Sequence, residues 1–240
     1  MFASSLARLA LPVGVALVAG ACASLGEHMP AGVEGPAQDV YRPAGERGPI
    51  VVLLSGHSGP RFYQGFAREI ARLGYYAVLL DGKDILTREQ DGPGNLRKAI
   101  ERAQRAPTAV PGKVAVIGFS QGGGGTLAHA ANMPDLVSAA VAYYPQTNFV
   151  SDMRALVVRF QVPLLVLAGA GDDRYHNCCL IESMRAMEAA ARERAAPFEL
   201  VVYPYADHGF NLTGANYRAA DDADAWRRTI EMLQRYQPLR

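Results

Sequence analysis

From residue 50 onward, apolar runs of strand length alternate with segments whose apolar positions recur at helical spacing. Residues 50–54 form a continuous β-branched and leucine run, the pattern of a strand buried on both faces. In 61–73, Phe62, Phe66, Ile70 and Leu73 fall on one helical face, and Gly74 stops the helix. Strands are then expected over 75–80, 113–118, 137–144, 163–169 and 198–203. Helices are expected over 95–105, 121–132, 179–194 and 219–236. In 95–105, Leu96, Ala99, Ile100 and Ala103 share a face. Short connections between alternating strands and helices predict a mostly parallel central sheet with helices on both faces. Ligands of such sheets bind beyond the carboxyl ends of the strands, so the residues after each strand are the ones to inspect.

The first residues follow another pattern. Met1 to Arg8 carry one basic side chain and no acid, an apolar stretch runs to Ala21, and Cys22-Ala23-Ser24 follows. A basic start, an apolar middle and small residues at a cleavage point make residues 1–22 an export signal. The apolar stretch is shorter than the roughly 20 residues of a permanent span. Val18-Ala19-Gly20-Ala21-Cys22 resembles a bacterial lipobox, which makes Cys22 the lipidated first residue of the mature chain; Ala21-Cys22-Ala23 also fits ordinary secretion. The expectation is a periplasmic, lipid-anchored or secreted protein. Residues 23–48, rich in Gly, Pro and Ala, are expected to be a tether with one short edge strand around 39–42, leaving 49–240 as the domain.

Composition narrows the function classes. The net charge is +1 and charges of both signs are interspersed, so no basic stripe for nucleic acid is present. The mature chain keeps Cys178 and Cys179, adjacent in sequence. They are expected as two thiols, one packed and one near the surface, with a vicinal disulfide as the strained alternative. The five histidines lack metal-ligand spacing, so no catalytic metal is expected.

Four segments after strands carry chemistry. Gly118-Phe119-Ser120-Gln121-Gly122 is a G-x-S-x-G run between a strand and a helix. That context places Ser120 on a sharp turn as a nucleophile, and the N–H of Gln121 where an oxyanion would form. Taken alone, the run could be a glycine-rich turn with Ser120 as a helix cap. Asp207-His208-Gly209 follows the last strand and offers His208 as general base. Gly169-Ala170-Gly171-Asp172-Asp173 supplies the acid; Asp172 is preferred for its offset from Gly169, with Asp173 as the competitor. After the first long strand, Ser55-Gly56-His57-Ser58-Gly59 offers the backbone of His57 as the second oxyanion donor. Phe62, Tyr63, Tyr144, Pro145 and Tyr205 also follow strand ends and are expected in the pocket wall.

Together with Ala142-Tyr143-Tyr144-Pro145 and Tyr203-Pro204-Tyr205-Ala206-Asp207-His208-Gly209-Phe210, these runs make residues 50–237 resemble the dienelactone hydrolase family of α/β-hydrolases. The resemblance implies an α/β-hydrolase fold without a large lid and a cofactor-free enzyme acting on a small-molecule ester or lactone. The founding members use a cysteine nucleophile where this chain has Ser120, and their oxyanion loop reads His-Gly-x-Gly rather than Ser55-Gly56-His57-Ser58. They often carry Val-Pro after the acid, where Arg174-Tyr175-His176-Asn177 stands here. These differences argue against dienelactone itself as substrate. The rival expectation is a binding protein that keeps the fold without catalysis.

Overall fold

The computed structural model describes residues 26–172 and 177–239. The export signal with Cys22, and the residues Asp173 and His176, lie outside the described residues. Among the described residues the sheet has eight strands in the order β1-β2-β4-β3-β5-β6-β7-β8. These are β1 (Glu27–Met29), β2 (Gln38–Tyr41), β3 (Gly48–Leu54), β4 (Tyr76–Leu80), β5 (Ala109–Phe119), β6 (Val137–Tyr143), β7 (Leu164–Gly169) and β8 (Phe198–Tyr203). Strands β3 to β8 run parallel, while β2 pairs antiparallel with β4 and β1 antiparallel with β2.

The helices are α1 (Gln64–Arg72), α2 (Gly92–Gln104), α3 (Gln121–Ala128), α4 (Met153–Val157), α5 (Ile181–Arg194) and α6 (Ala219–Tyr236). Helices α1 and α6 cover one face through Ala67, Ile70, Ala71, Ala225 and Leu233. The other four cover the opposite face, where Leu96, Ile100, Leu127, Leu156 and Met184 share one core cluster with Ile50, Val52 and Leu54. Every residue of β3 and β4 is buried, as expected of strands covered on both sides. Among the described residues no helix is long and apolar enough to cross a membrane.

Four departures from the sequence expectations have local causes. Residues 26–48 do more than lead into the domain: besides the expected strand around 39–42, which is β2, they supply β1, and Val40 and Tyr41 are buried on opposite sides of the sheet. Helix α2 begins three residues early because the Asp91 carboxylate accepts from the Gly94 N–H, with Pro93 in the first turn. Helix α3 stops at Ala128, and His129 leaves helical geometry before a 3-10 turn over Ala130–Asn132. Helix α4, capped by Asp152, was not foreseen, since five residues are too few to show a period.

The topology positions the site. Strand β4 lies on one side of β3 and β5 on the other. The loops leaving the carboxyl ends of β3 and β5 therefore diverge and open a crevice between them.

Candidate active site

Ser120 sits between β5 and α3 at φ 51°, ψ −113°. A non-glycine residue there costs about 1–3 kcal/mol, and the surroundings must hold it. They do so through its backbone. The Ser120 N–H donates to Tyr143 O at 3.0 Å, and Ser120 O accepts from Gly124 N at 2.9 Å and from Gln146 N at 2.8 Å. The two glycines of the motif are required by close approach. A Cβ on Gly118 would lie 2.3 Å from Gly122 O, and one on Gly122 would lie 2.3 Å from Leu54 O. The turn can be this tight only if neither position has a side chain.

His208 follows β8 and Asp172 follows β7. The loops that carry them are fastened together: Ala170 N donates to Tyr203 O at 2.9 Å, and Gly171 N to Ala206 O at 3.0 Å. His208 Nδ1 lies 2.8 Å from Asp172 Oδ2, and His208 Nε2 lies 2.9 Å from Ser120 Oγ. All three side chains are buried or nearly so. With Asp172 ionised, Nδ1–H donates to the carboxylate, which leaves Nε2 as acceptor for the Ser120 hydroxyl. Asp172 is thus the aspartate that meets the imidazole; its Oδ1 has no partner among the described residues.

Tyr144 braces this array. It sits at φ 35°, its N–H donates to Leu167 O at 2.7 Å, and its ring packs edge-on against the His208 ring at 4.7 Å. Its hydroxyl donates to Asn211 Oδ1 at 2.6 Å and also interacts with the hydroxyl of Tyr63. Burial raises the pKa of both phenols, that of Tyr63 to about 12, against the lowering effect of its contacts with Tyr144 and the Gly56 backbone. Both are neutral hydrogen-bonding groups near pH 7.

Ser120 and His208 open into a pocket of about 270 Å³. Of the five expected wall residues, Phe62, Tyr63 and Tyr144 line it. Pro145 and Tyr205 do not: Pro145 packs behind Gly123, and Tyr205 is 79% exposed. His57 lines the pocket at the end of β3. Gln121 is buried, with its side-chain amide donating to Leu86 O at 3.3 Å. Its N–H is at the first position of α3, where a helix has no internal acceptor to offer.

Sequence reasoning missed the far wall, formed by Gly209, Leu212, Thr213 and Asn216. The Asn216 side chain donates to His208 O at 2.8 Å and ties this wall to the histidine. The signal was its position directly after the last strand, the same rule that singled out His208. Cys178 and Cys179 are also corrected. They are joined as a vicinal disulfide, and both are buried. The reason is local: Asn177 at φ 69° turns the chain, and the bend is held where Thr147 N and Asn148 N donate to Cys178 O at 2.6 and 3.2 Å.

Comparison with known proteins agrees with this architecture. The family model described as "Dienelactone hydrolase family" matches residues 82–237. The chain is 32% identical over 131 residues to the "Putative carboxymethylenebutenolidase" of Escherichia coli, a match covering 52% of this chain and 46% of that protein. It thus spans about half the length of that curated relative. The protein of the same name from Methylorubrum extorquens is 26% identical over 237 residues, covering 84% of this chain and 79% of that one. A crystal structure of a dienelactone hydrolase-type protein from Klebsiella pneumoniae superimposes with a TM-score of 0.73 at 23% identity, covering 88% of this chain and 99% of that one. That likeness speaks for the fold, an α/β-hydrolase. With the matched segment reaching from the loop after β4 to the end of α6, this chain belongs to the dienelactone hydrolase family.

Proposed function

We propose that the protein hydrolyses a small ester or lactone through an acyl-enzyme on Ser120. The observation that carries this reading is the unbroken hydrogen-bonded line from Asp172 through His208 to Ser120 Oγ, ending in a pocket. Nε2 of His208 takes the Ser120 proton as Oγ attacks the carbonyl carbon. Asp172 holds the ring in that tautomer and stabilises the imidazolium. The backbone N–H groups of Gln121 and His57 receive the oxyanion; losing one such donor typically costs about 10²–10³ in rate. The tetrahedral intermediate collapses, His208 protonates the departing alkoxide, and water repeats the sequence to release the acid. Family membership supports the ester or lactone class, and the aromatic wall of the small pocket supports a compact substrate.

The test is hydrolysis of short p-nitrophenyl esters and a panel of lactones by wild type and Ser120→Ala. The variant should lose at least about 10⁴-fold in kcat with an unchanged circular dichroism spectrum. A fluorophosphonate probe should label wild type at Ser120 only. Turnover retained by the variant would remove Ser120 from the mechanism, and an unlabelled wild type would favour a binding protein on the same fold.

We propose further that residues 1–22 direct export and that Cys22 is acylated, which places the domain in the periplasm on a lipid anchor. Radiolabelled palmitate should enter the wild-type chain and not Cys22→Ala; equal labelling of both would refute the anchor.

A further inference from the structure

The vicinal disulfide lies against the imidazole of His208. The sulfurs of Cys178 and Cys179 and a ring nitrogen of His208 all fall within 4.8 Å of one another. Cys178 is 6% exposed and Cys179 1%. The Cys178 carbonyl is anchored by Thr147 and Asn148, in the segment just past Tyr144. Acyl transfer uses neither sulfur, yet the chain puts both of its described cysteines beside the one base the mechanism needs.

We propose that reduction of this disulfide creates a two-sulfur, one-nitrogen site for a soft divalent cation of the zinc class, and that filling the site switches hydrolysis off. The second half rests on the acyl-enzyme reading above. Disulfide sulfurs are poor ligands, whereas thiolates bind zinc and cadmium strongly, so the site exists only in the reduced chain. The redox step is a two-electron exchange. A dithiol reductant gives two electrons and two protons to the Cys178–Cys179 bond, which opens to two thiols, and the reductant leaves as its own disulfide. The cation then displaces both thiol protons.

The geometry suits such an ion. Tetrahedral zinc, with bonds of about 2.3 Å to sulfur and 2.0–2.1 Å to nitrogen, holds ligand atoms roughly 3.3–3.8 Å apart. The two sulfurs, bonded to each other in the disulfide, part to that spacing once the bond opens, and the imidazole nitrogen, within 4.8 Å of both, closes by only about an ångström, within reach of side-chain rotation. Inhibition follows from the histidine. Nδ1 is bonded to Asp172 and Nε2 to Ser120. A metal can take either nitrogen only by displacing one of these partners, and the proton path fails in both cases. Sulfur donors also set the selectivity, favouring zinc or cadmium over magnesium or calcium.

The experiment reduces the folded protein with dithiothreitol, desalts it without oxygen, verifies two free thiols, and titrates it with cobalt(II) as a spectroscopic probe. One equivalent should bind with a thiolate-to-cobalt charge-transfer band. That band should be absent from the unreduced chain and from the Cys178→Ser/Cys179→Ser double variant. His208→Ala, with both thiols present, should bind at least tenfold more weakly. In parallel, one equivalent of zinc should lower p-nitrophenyl acetate hydrolysis by the reduced enzyme at least tenfold, reversibly with EDTA, and leave the unreduced enzyme unchanged. If the double variant does not fold, reduced against unreduced wild type makes the same comparison. A disulfide that resists reduction in the folded protein, no charge-transfer band, a band indifferent to His208→Ala, or equal inhibition of both redox forms would each overturn the proposal. A wild type without esterase activity would instead overturn the acyl-enzyme reading, and the cobalt titration would still decide whether the metal site exists.

Discussion

The two faces of the sheet are built from different materials. Under α2, α3, α4 and α5 the core is aliphatic and rich in alanine, with Tyr76 and Phe160 as its buried rings. Under α1 and α6 it holds Tyr41, Tyr63, Tyr75, Phe119, Tyr143, Tyr144, Tyr203 and Phe210. Aliphatic side chains bury area without direction, so the core of the first face contributes stability. Rings are rigid, carry polar tips, and reach from the core to the rim. On the second face they form a continuous path: Phe119 to Tyr143 at 4.9 Å, Tyr143 to Phe210 at 6.2 Å, Phe210 to Tyr144 at 5.6 Å, and Tyr144 to His208 at 4.7 Å. The comparison teaches that the rings bracing His208 come from one side of the sheet, while the other side reaches the site through the first turn of α3, where Gly124 N donates to Ser120 O.

The largest expected effect bypasses both faces. Asp172→Asn should leave the fold intact and lower kcat by about 10⁴-fold, because the amide favours the wrong imidazole tautomer. A decline of less than tenfold in steady-state assays would mean that Asp172 does not orient His208. The comparison itself is tested by a matched pair. Phe210→Ala should cost about 3–5 kcal/mol in urea unfolding and also lower kcat several-fold, since it empties the space behind Tyr144. Leu96→Ala, equally buried on the aliphatic face, should cost about 2–5 kcal/mol and leave kcat within about twofold. Equal effects on kcat would erase the distinction between the faces.

The smallest effect is alkaline. The folded-state pKa of Tyr63 is raised to about 12, chiefly by burial, whereas an exposed phenol titrates near 10. Below pH 10 both states are protonated and the contribution to stability is whole. As pH rises from 10 towards 12 the unfolded chain loses its proton first, and stability falls. Urea melts at pH 9 and 11 should therefore differ by about 1 kcal/mol less in Tyr63→Phe than in wild type. An identical difference would mean that Tyr63 is not shielded as its packing implies.

Much of this was legible along the chain. The strands over 50–54 and 75–80 were found within a residue or two, because burial on both faces writes a run of apolar residues with no alternation. Ser120, Asp172 and His208 were legible because each follows a strand in a recognisable turn. Tyr205 misled, since following a strand end places a residue at the rim without saying which way it points. The strand expected around 39–42 is β2, whereas β1 was missed because it is three residues long and mostly exposed.

Local order, then, was written in the chain: period, turn chemistry, and the succession of serine, acid and histidine depend on neighbours a few residues apart. What only folding decided were meetings between residues far apart in sequence, such as Tyr144 against His208 and the Cys178–Cys179 pair beside it. Such contacts depend on how packed layers set loop heights at the sheet's rim, and no one-dimensional spacing encodes that.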